Sequence, residues 1–118
     1  MELKLSVRNV NGIAVVDAAG RLIFGDESAS LRDTVKTVIS ENKRIILNLG
    51  EVTYIDSGGL GTLVALYTTA RSAGGDIKLA SLTKRVGDLL QVTKLLTVFD
   101  VYDTEKQALD SFRKGEAA

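Results

Sequence analysis

Hydrophobic and polar positions alternate at the start of the chain in a pattern that predicts a β-hairpin. Apolar residues recur at every second position from Leu3 to Val7, and residues 13–19 form a second, largely apolar segment. Asn11-Gly12 lies between the two segments, and this pair favours the tight turn of a two-residue hairpin. We therefore expect the chain to begin with two antiparallel strands.

After the hairpin, the hydrophobic spacing lengthens to three or four residues and predicts helices that alternate with strands. Three predicted helices have an apolar face, formed by Leu31, Val35, Val38 and Ile39, by Leu60, Leu63, Val64, Tyr67 and Ala70, and by Ala108, Leu109 and Phe112. Residues 84–90 are also helix-like, and this helix is expected to end near Thr93. Short apolar runs predict the intervening strands at residues 45–49, 77–80 and 98–102.

Capping residues support these helix boundaries. Asp26 or Ser28 is expected to cap the first helix, and the glycine pair at positions 74–75 to end the second. Thr104 and Gln107 have the spacing of a capping box at the start of the last helix. The element order predicts an α/β fold, a mixed β-sheet of about five strands packed against about four helices. The 118 residues fit one domain, residues 1–118.

The charge balance narrows the functional classes. The 15 basic and 15 acidic residues cancel, so the chain lacks the positive footprint of proteins that bind nucleic acid or anionic membranes directly. No apolar run approaches the ~20 residues that cross a bilayer, and the N-terminus lacks a basic-then-apolar signal sequence. We expect a cytoplasmic protein, without membrane insertion, whose partners are proteins.

The chain contains no cysteine and no histidine. Disulfides, thiol nucleophiles, the commonest metal ligand and the commonest general base are therefore absent. The acidic residues are dispersed and lack the spacing of a metal site. We expect no bound metal and no enzyme activity that depends on histidine or cysteine.

The most informative segment is residues 54–61, YIDSGGLG, which joins a predicted buried strand to the second helix. Asp56 and Ser57 are strong N-cap residues, because each side chain can accept from the unpaired N–H groups of the first helical turn. The segment holds three glycines within four positions, although each disfavours a helix by about 1 kcal/mol relative to alanine. These glycines either keep side chains away from the Ser57 hydroxyl, so that a partner can approach it, or allow tight packing of the helix on the sheet.

Ser57 does not fit the common serine-based catalytic motifs. A nucleophile elbow would need glycine where Ile55 stands, and a Ser-His-Asp triad cannot form without histidine. A Ser–Lys pair stays open as an alternative, although the residue three positions after Ser57 is not lysine. The spacing of Gly59 and Gly61 gives half of a dinucleotide-binding fingerprint, because Val64 occupies its last glycine position.

Residues 56–61 are similar to the hallmark of the STAS family, whose bacterial members include anti-sigma factor antagonists. That hallmark is a strand ending in Asp, then Ser, a small residue, Gly, an aliphatic residue and Gly, and the sequence DSGGLG matches it at every position. The flanking segments also resemble the family, from the opening hairpin to the terminal helix. The resemblance implies a single STAS-like domain.

The same resemblance implies a phosphorylation switch. The unphosphorylated protein would bind an anti-sigma factor, often itself a GHKL-type serine kinase, and so free a sigma factor. Phosphorylation of the serine after the motif Asp, here Ser57, would end that association, and a PP2C-type phosphatase would restore it. ATP belongs to the kinase in this scheme, so the resemblance implies no cofactor for this chain.

The segment RLIFG, residues 21–25, departs from the family pattern, because it is largely apolar where many relatives carry an acidic or polar residue. The resemblance places this loop beside the serine. We therefore predict a partner-binding surface formed by Leu22, Phe24 and Gly25 from the loop and by Asp56, Ser57, Gly58 and Gly59 from the motif. An ordinary core segment at residues 22–24 is the alternative interpretation.

Two other functions stay open. The chain could be a STAS subunit of another assembly, such as a lipid-transport complex, a stressosome-like particle or an anion-transport system. It could also be a small hydrolase that uses Ser57, which the absence of histidine disfavours.

Overall fold

In a computed structural model that describes residues 3–117, the described chain forms five strands and four α-helices. In chain order these are β1 (Leu3–Val10), β2 (Ile13–Leu22), α1 (Asp26–Glu41), β3 (Arg44–Ile55), α2 (Ser57–Ser72), β4 (Asp76–Ala80), α3 (Lys84–Val92), β5 (Asp100–Tyr102) and α4 (Glu105–Ala117). A short 3-10 helix, Leu95–Thr97, precedes β5. Met1, Glu2 and Ala118, at the ends of the predicted domain, lie outside the described residues.

The strands form one sheet in the order β1-β2-β3-β4-β5, with the β1–β2 pair antiparallel and the other three pairs parallel. Val10 lies opposite Ile13 at the hairpin end. The connecting residues Asn11 and Gly12 have φ of 53° and 82°, the left-handed conformation that a type I′ turn requires. The predicted hairpin and the mixed α/β sheet are confirmed.

Helices α1, α2 and α3 cover one face of the sheet, and α4 covers the other. The larger core includes Leu31 of α1, Leu63 of α2 and Leu90 of α3. The smaller core, on the opposite face, includes Ala108 and Phe112 of α4. Residues of β3 enter both cores, so this strand is buried on both faces, as its continuous apolar run predicts. None of the helices within residues 3–117 has the length and apolar character needed to span a membrane.

The start of α1 differs from the sequence prediction. Its N-cap residue is Gly25, with φ of 106° and ψ of −137°, and no side chain caps the helix there. Asp26 is the first helical residue, and the Ser28 hydroxyl instead donates to the carbonyl oxygen of Ile23 at 2.6 Å. The prediction that Asp26 or Ser28 is the N-cap is therefore wrong, because the chain enters the helix through a backbone conformation that favours glycine.

Several strand boundaries also differ from the prediction. β2 continues to Leu22 instead of ending at Ala19. β3 continues to Ile55 instead of ending at Leu49, because its second half pairs with the end of β2 across an irregular register. β5 begins at Asp100 instead of Val98. The residue between them, Phe99, is buried but precedes the strand.

The capping predictions for α2 and α4 are confirmed. The N–H of Gln107 donates to the Thr104 hydroxyl at 3.1 Å, while the Gln107 side chain reaches back to the N–H of Asp103. At the end of α2, the N–H of Gly75 donates to the carbonyl oxygen of Ala70 at 2.8 Å. These bonds satisfy backbone groups that a helix end leaves unpaired.

Candidate functional site

The motif lies where β3 ends and α2 begins, at the carboxyl edge of the parallel strands. Because β2 and β3 run in the same direction, the loop after β2 and the motif after β3 meet at this edge. The N–H of Asp56 donates to the carbonyl oxygen of Leu22 at 3.3 Å. The loop of residues 21–25 therefore lies beside the serine, as expected.

Asp56 holds these two segments together. One carboxylate oxygen accepts from the N–H of Gly59 at 2.8 Å, which makes Asp56 the N-cap of α2. Both carboxylate oxygens also accept from the N–H of Phe24 at 3.1 Å. The N–H groups of Gly59 and, to a smaller extent, Phe24 lower the pKa of Asp56, because they stabilise its charged form. The predicted cap is confirmed, and both oxygens of its carboxylate accept hydrogen bonds from backbone N–H groups.

Two of the motif glycines serve close packing. A Cβ atom at Gly59 would lie 2.1 Å from the carbonyl oxygen of Leu22, and one at Gly58 would lie 2.5 Å from the Cβ of Phe24. At Gly61, by contrast, a Cβ atom would meet nothing within 4 Å. These contacts favour the close-packing interpretation of Gly58 and Gly59. The two glycines let α2 begin directly against the loop that follows β2.

The predicted contact residues of the loop separate into a buried and an exposed part. The side chain of Leu22 is fully buried in the larger core. The prediction that the Leu22 side chain forms part of the partner-binding surface is therefore wrong. The alternative interpretation, an ordinary core segment, is confirmed at this position. Phe24 is 80% exposed, and Gly25, next to it, is also exposed. The chain leaves the periodic pattern of β2 after Leu22, which turns the phenyl ring outward.

Ser57 is the first residue of α2, and its side chain is exposed. Among the described side chains, none forms a hydrogen bond with its hydroxyl, and the neighbouring Asp56 carboxylate is held by backbone N–H groups. The exposed hydroxyl is therefore accessible to another protein.

A groove of about 410 Å³ extends from this site between α1 and α2. Its lining includes Phe24, Ala29, Arg32, Gly61, Thr62 and Ala65. The predicted partner-binding surface did not include the last five of these residues. A usable signal was present in α2, because the small residues at 58, 61, 62 and 65 recur at helical spacing and so share one face.

Residues 4–108 match the family model of the STAS domain. The anti-sigma-B factor antagonist of Bacillus subtilis strain 168 is 30% identical over 101 residues, which cover 86% of this chain and 92% of the relative.

Two solved proteins share the fold. An anti-sigma factor antagonist from Mycobacterium paratuberculosis superposes with a TM-score of 0.82 and 22% identity over 95% of each chain. The Bacillus protein SpoIIAA, an anti-sigma factor antagonist, has been solved unphosphorylated, with a TM-score of 0.69 and 19% identity, and phosphorylated, with a TM-score of 0.70 and 20% identity. Each SpoIIAA comparison covers 93% of this chain and 98% of the other.

Proposed function

The chain belongs to the STAS domain family, and from that premise we propose that it is an anti-sigma factor antagonist controlled by phosphorylation of Ser57. The unphosphorylated protein binds an anti-sigma factor and so releases a sigma factor. A phosphate on Ser57 ends that association. The relative from Bacillus subtilis, named as an anti-sigma-B factor antagonist, supports the proposal.

The observation that carries the proposal is the placement of an exposed Ser57 hydroxyl beside an exposed aromatic side chain. Phe24 packs its Cβ against Gly58, the residue after the serine, while most of its surface faces solvent. Aromatic residues, phenylalanine included, are enriched at protein interfaces relative to the rest of the surface. In this proposal Phe24 anchors the partner, and Asp56, Gly58 and Gly59 act by fixing the shape of the surface around Ser57.

The physical effect of phosphorylation follows from this position. A phosphoserine carries about −1.5 to −2 charges at pH 7. Burying such a group in an interface without a matched cation costs several kcal/mol. A loss of roughly 3 kcal/mol would weaken binding more than a hundredfold. One modification at the centre of the surface is therefore enough to separate the partners.

The phosphoryl transfer is assigned to the partner. The anti-sigma factor is a GHKL-type serine kinase that binds ATP, and the Ser57 oxygen attacks the γ-phosphorus while ADP leaves and the hydroxyl proton is lost. A PP2C-type phosphatase hydrolyses the phosphoserine and returns inorganic phosphate. Ser57 is thus the acceptor group, and the nucleotide is held by the kinase.

Phosphosite mapping tests this assignment. The purified chain is incubated with lysate of its native cell and ATP, and its mass and modified peptides are measured. We expect one added phosphate, on Ser57. Ser72→Ala, at the exposed end of the same helix, is the matched control and should be modified like the unaltered chain. Modification of a Ser57→Ala variant at the same rate would overturn the proposal.

A further inference from the structure

Two arginines share one exposed tyrosine ring near the candidate site. The guanidinium carbon of Arg21, at the end of β2, lies 5.6 Å from the centre of the Tyr54 ring. The guanidinium carbon of Arg85, at the start of α3, lies 5.3 Å from the same point. Tyr54 itself stands near the end of β3 and is 38% exposed. We call these three residues the arginine–tyrosine cluster.

The cluster lies at the same edge of the sheet as Ser57. Arg21 and Tyr54 are register partners in the parallel β2–β3 pair, and α3 begins just after the end of the parallel strand β4. Tyr54 and Ser57 are three residues apart, so their Cα atoms are separated by at most about 11 Å. A partner that covers Ser57 would therefore also reach the cluster.

The charges of the cluster are not neutralised within the described chain. Neither Arg21 nor Arg85 takes part in any ion pair among residues 3–113. The cation next to Arg85, Lys84, is paired with Asp88 at 2.8 Å. The carboxylate nearest to the cluster in sequence, Asp56, accepts from backbone N–H groups instead. Two guanidinium groups that form no ion pair within residues 3–113 thus contact one tyrosine ring, on a chain whose net charge is zero.

We propose that the arginine–tyrosine cluster binds the carboxylate groups of an acidic segment on the protein partner that covers Ser57. Guanidinium groups bind carboxylates through two parallel N–H···O bonds. Stacking on the tyrosine ring restrains both side chains before the partner arrives, which reduces the rotamer entropy lost on binding. The neutral net charge and the small size of the patch favour an acidic protein segment over a nucleic acid.

This inference rests on the proposed function only for the identity of the partner. Carboxylate binding by the cluster does not require that Ser57 be phosphorylated. The cluster therefore attracts the partner electrostatically and helps to select it, whereas the phosphate on Ser57 causes the partner to dissociate.

An NMR titration with a hexaglutamate peptide tests the cluster without any partner. At low ionic strength, we expect saturable shifts of the Nε–H signals of Arg21 and Arg85 and of the Tyr54 ring, and a weaker effect at about 0.15 M salt. The double variant Arg21→Gln/Arg85→Gln should bind roughly three- to tenfold more weakly. Lys36→Gln/Lys94→Gln, which removes the same charge from exposed positions, is the matched control and should bind like the wild type.

The inference is overturned if the peptide shifts all surface cations equally, or if the two double variants lose affinity to the same extent. A hexaglutamine peptide should cause no shifts, and equal shifts with it would also overturn the inference. In a second arm, the binding of protein captured from native lysate is compared for the two double variants and for Ser57→Asp. Loss of binding with Ser57→Asp alone contradicts the cluster, while loss with Arg21→Gln/Arg85→Gln alone contradicts the phosphoswitch.

Discussion

Gly59 and Gly61 lie in the same helix but have opposite surroundings. Because a Cβ atom at position 59 would overlap the carbonyl oxygen of Leu22, Gly59→Ala should lower the free energy of unfolding by roughly 1–3 kcal/mol. Gly61→Ala meets no atom within 4 Å and should raise it by about 0.5–1 kcal/mol. Urea unfolding of both variants measures the difference. Equal effects would contradict the packing role of Gly59.

Asp56 makes stability at this site depend on pH. Its pKa is lowered in the folded state, so its contribution is complete above the unfolded-state pKa of about 4 and is lost as the pH falls through the lower folded value. Asp56→Asn keeps an oxygen acceptor but loses the charge. At neutral pH we expect its melting temperature to lie about 2–5 °C below that of the wild type, with the gap closing below about pH 4.

Thermal unfolding, followed by circular dichroism across this pH range, measures the melting temperatures of Asp56→Asn and of the wild type. Asp33→Asn, at an exposed position of α1, serves as the control and should show no such change in the gap. A gap between Asp56→Asn and the wild type that stays constant down to acid pH would contradict the assigned role of the carboxylate.

At the scale of single residues, sequence patterns predicted the roles that depend on neighbouring positions in the chain. The helix-start signal offered both Asp56 and Ser57 as N-cap residues, and the structure assigns the cap to Asp56. The burial of Leu22 and the exposure of Phe24 were not predictable, because both residues are apolar and the alternating pattern of β2 stops where the strand ends. The roles of Gly58 and Gly59 depend on contacts with a loop more than thirty residues earlier, which no local pattern reports.

Helix α4 is fixed to the sheet by a charged network on the face opposite the candidate site. Arg8 of β1 donates to Asp17 of β2 and to Glu105 at the start of α4, with nitrogen–oxygen distances of 2.6 Å to each. The Asn48 side chain also donates to Glu105 at 3.1 Å. The hydrogen bond from Arg8, followed by that from Asn48, lowers the pKa of Glu105. Three strands and one helix are thus joined through Arg8, which is bound by both carboxylates, and through Asn48, which binds Glu105.

A double-mutant cycle with Arg8→Gln and Glu105→Gln measures this network. Because the Arg8 side chain is 44% exposed, screening by solvent limits the expected coupling to roughly 0.5–1 kcal/mol. The exposed pair Lys106–Asp110, within one turn of α4, is the control and should give a smaller coupling. Indistinguishable couplings would mean that the network does not anchor the helix.

Sequence periodicity predicted the four α-helices and five strands of residues 3–117, but not all their limits. Residues 50–53, GEVT, carry no continuous apolar run, so the extension of β3 appears only through its pairing with β2. The start of β5 was misjudged because Val98 and Phe99 are apolar yet precede the strand, after the 3-10 turn. In both cases tertiary pairing decides the backbone conformation, and hydrophobicity alone does not.

For the whole molecule, we predict that phosphorylation of Ser57 leaves the fold nearly unchanged. A phosphate at this position lies at the start of α2, where free N–H groups and the helix dipole stabilise an anion by about 0.3–1 kcal/mol. This gain roughly offsets repulsion from Asp56. The melting temperature should therefore change by less than about 4 °C, and backbone NMR shifts should be confined to the segments around Phe24 and Ser57. Shift changes throughout the sheet would contradict this prediction.

The most direct test of the phosphoswitch compares the affinity of the two forms for one partner. The partner is captured from native lysate in the absence of ATP, identified by mass spectrometry, and titrated calorimetrically with unphosphorylated and Ser57-phosphorylated protein. We predict tight binding of the unphosphorylated form, at least a hundredfold weaker binding of the phosphorylated form, and an intermediate affinity for Ser57→Asp, which carries less charge. Equal affinities of the unphosphorylated and phosphorylated forms would contradict the account.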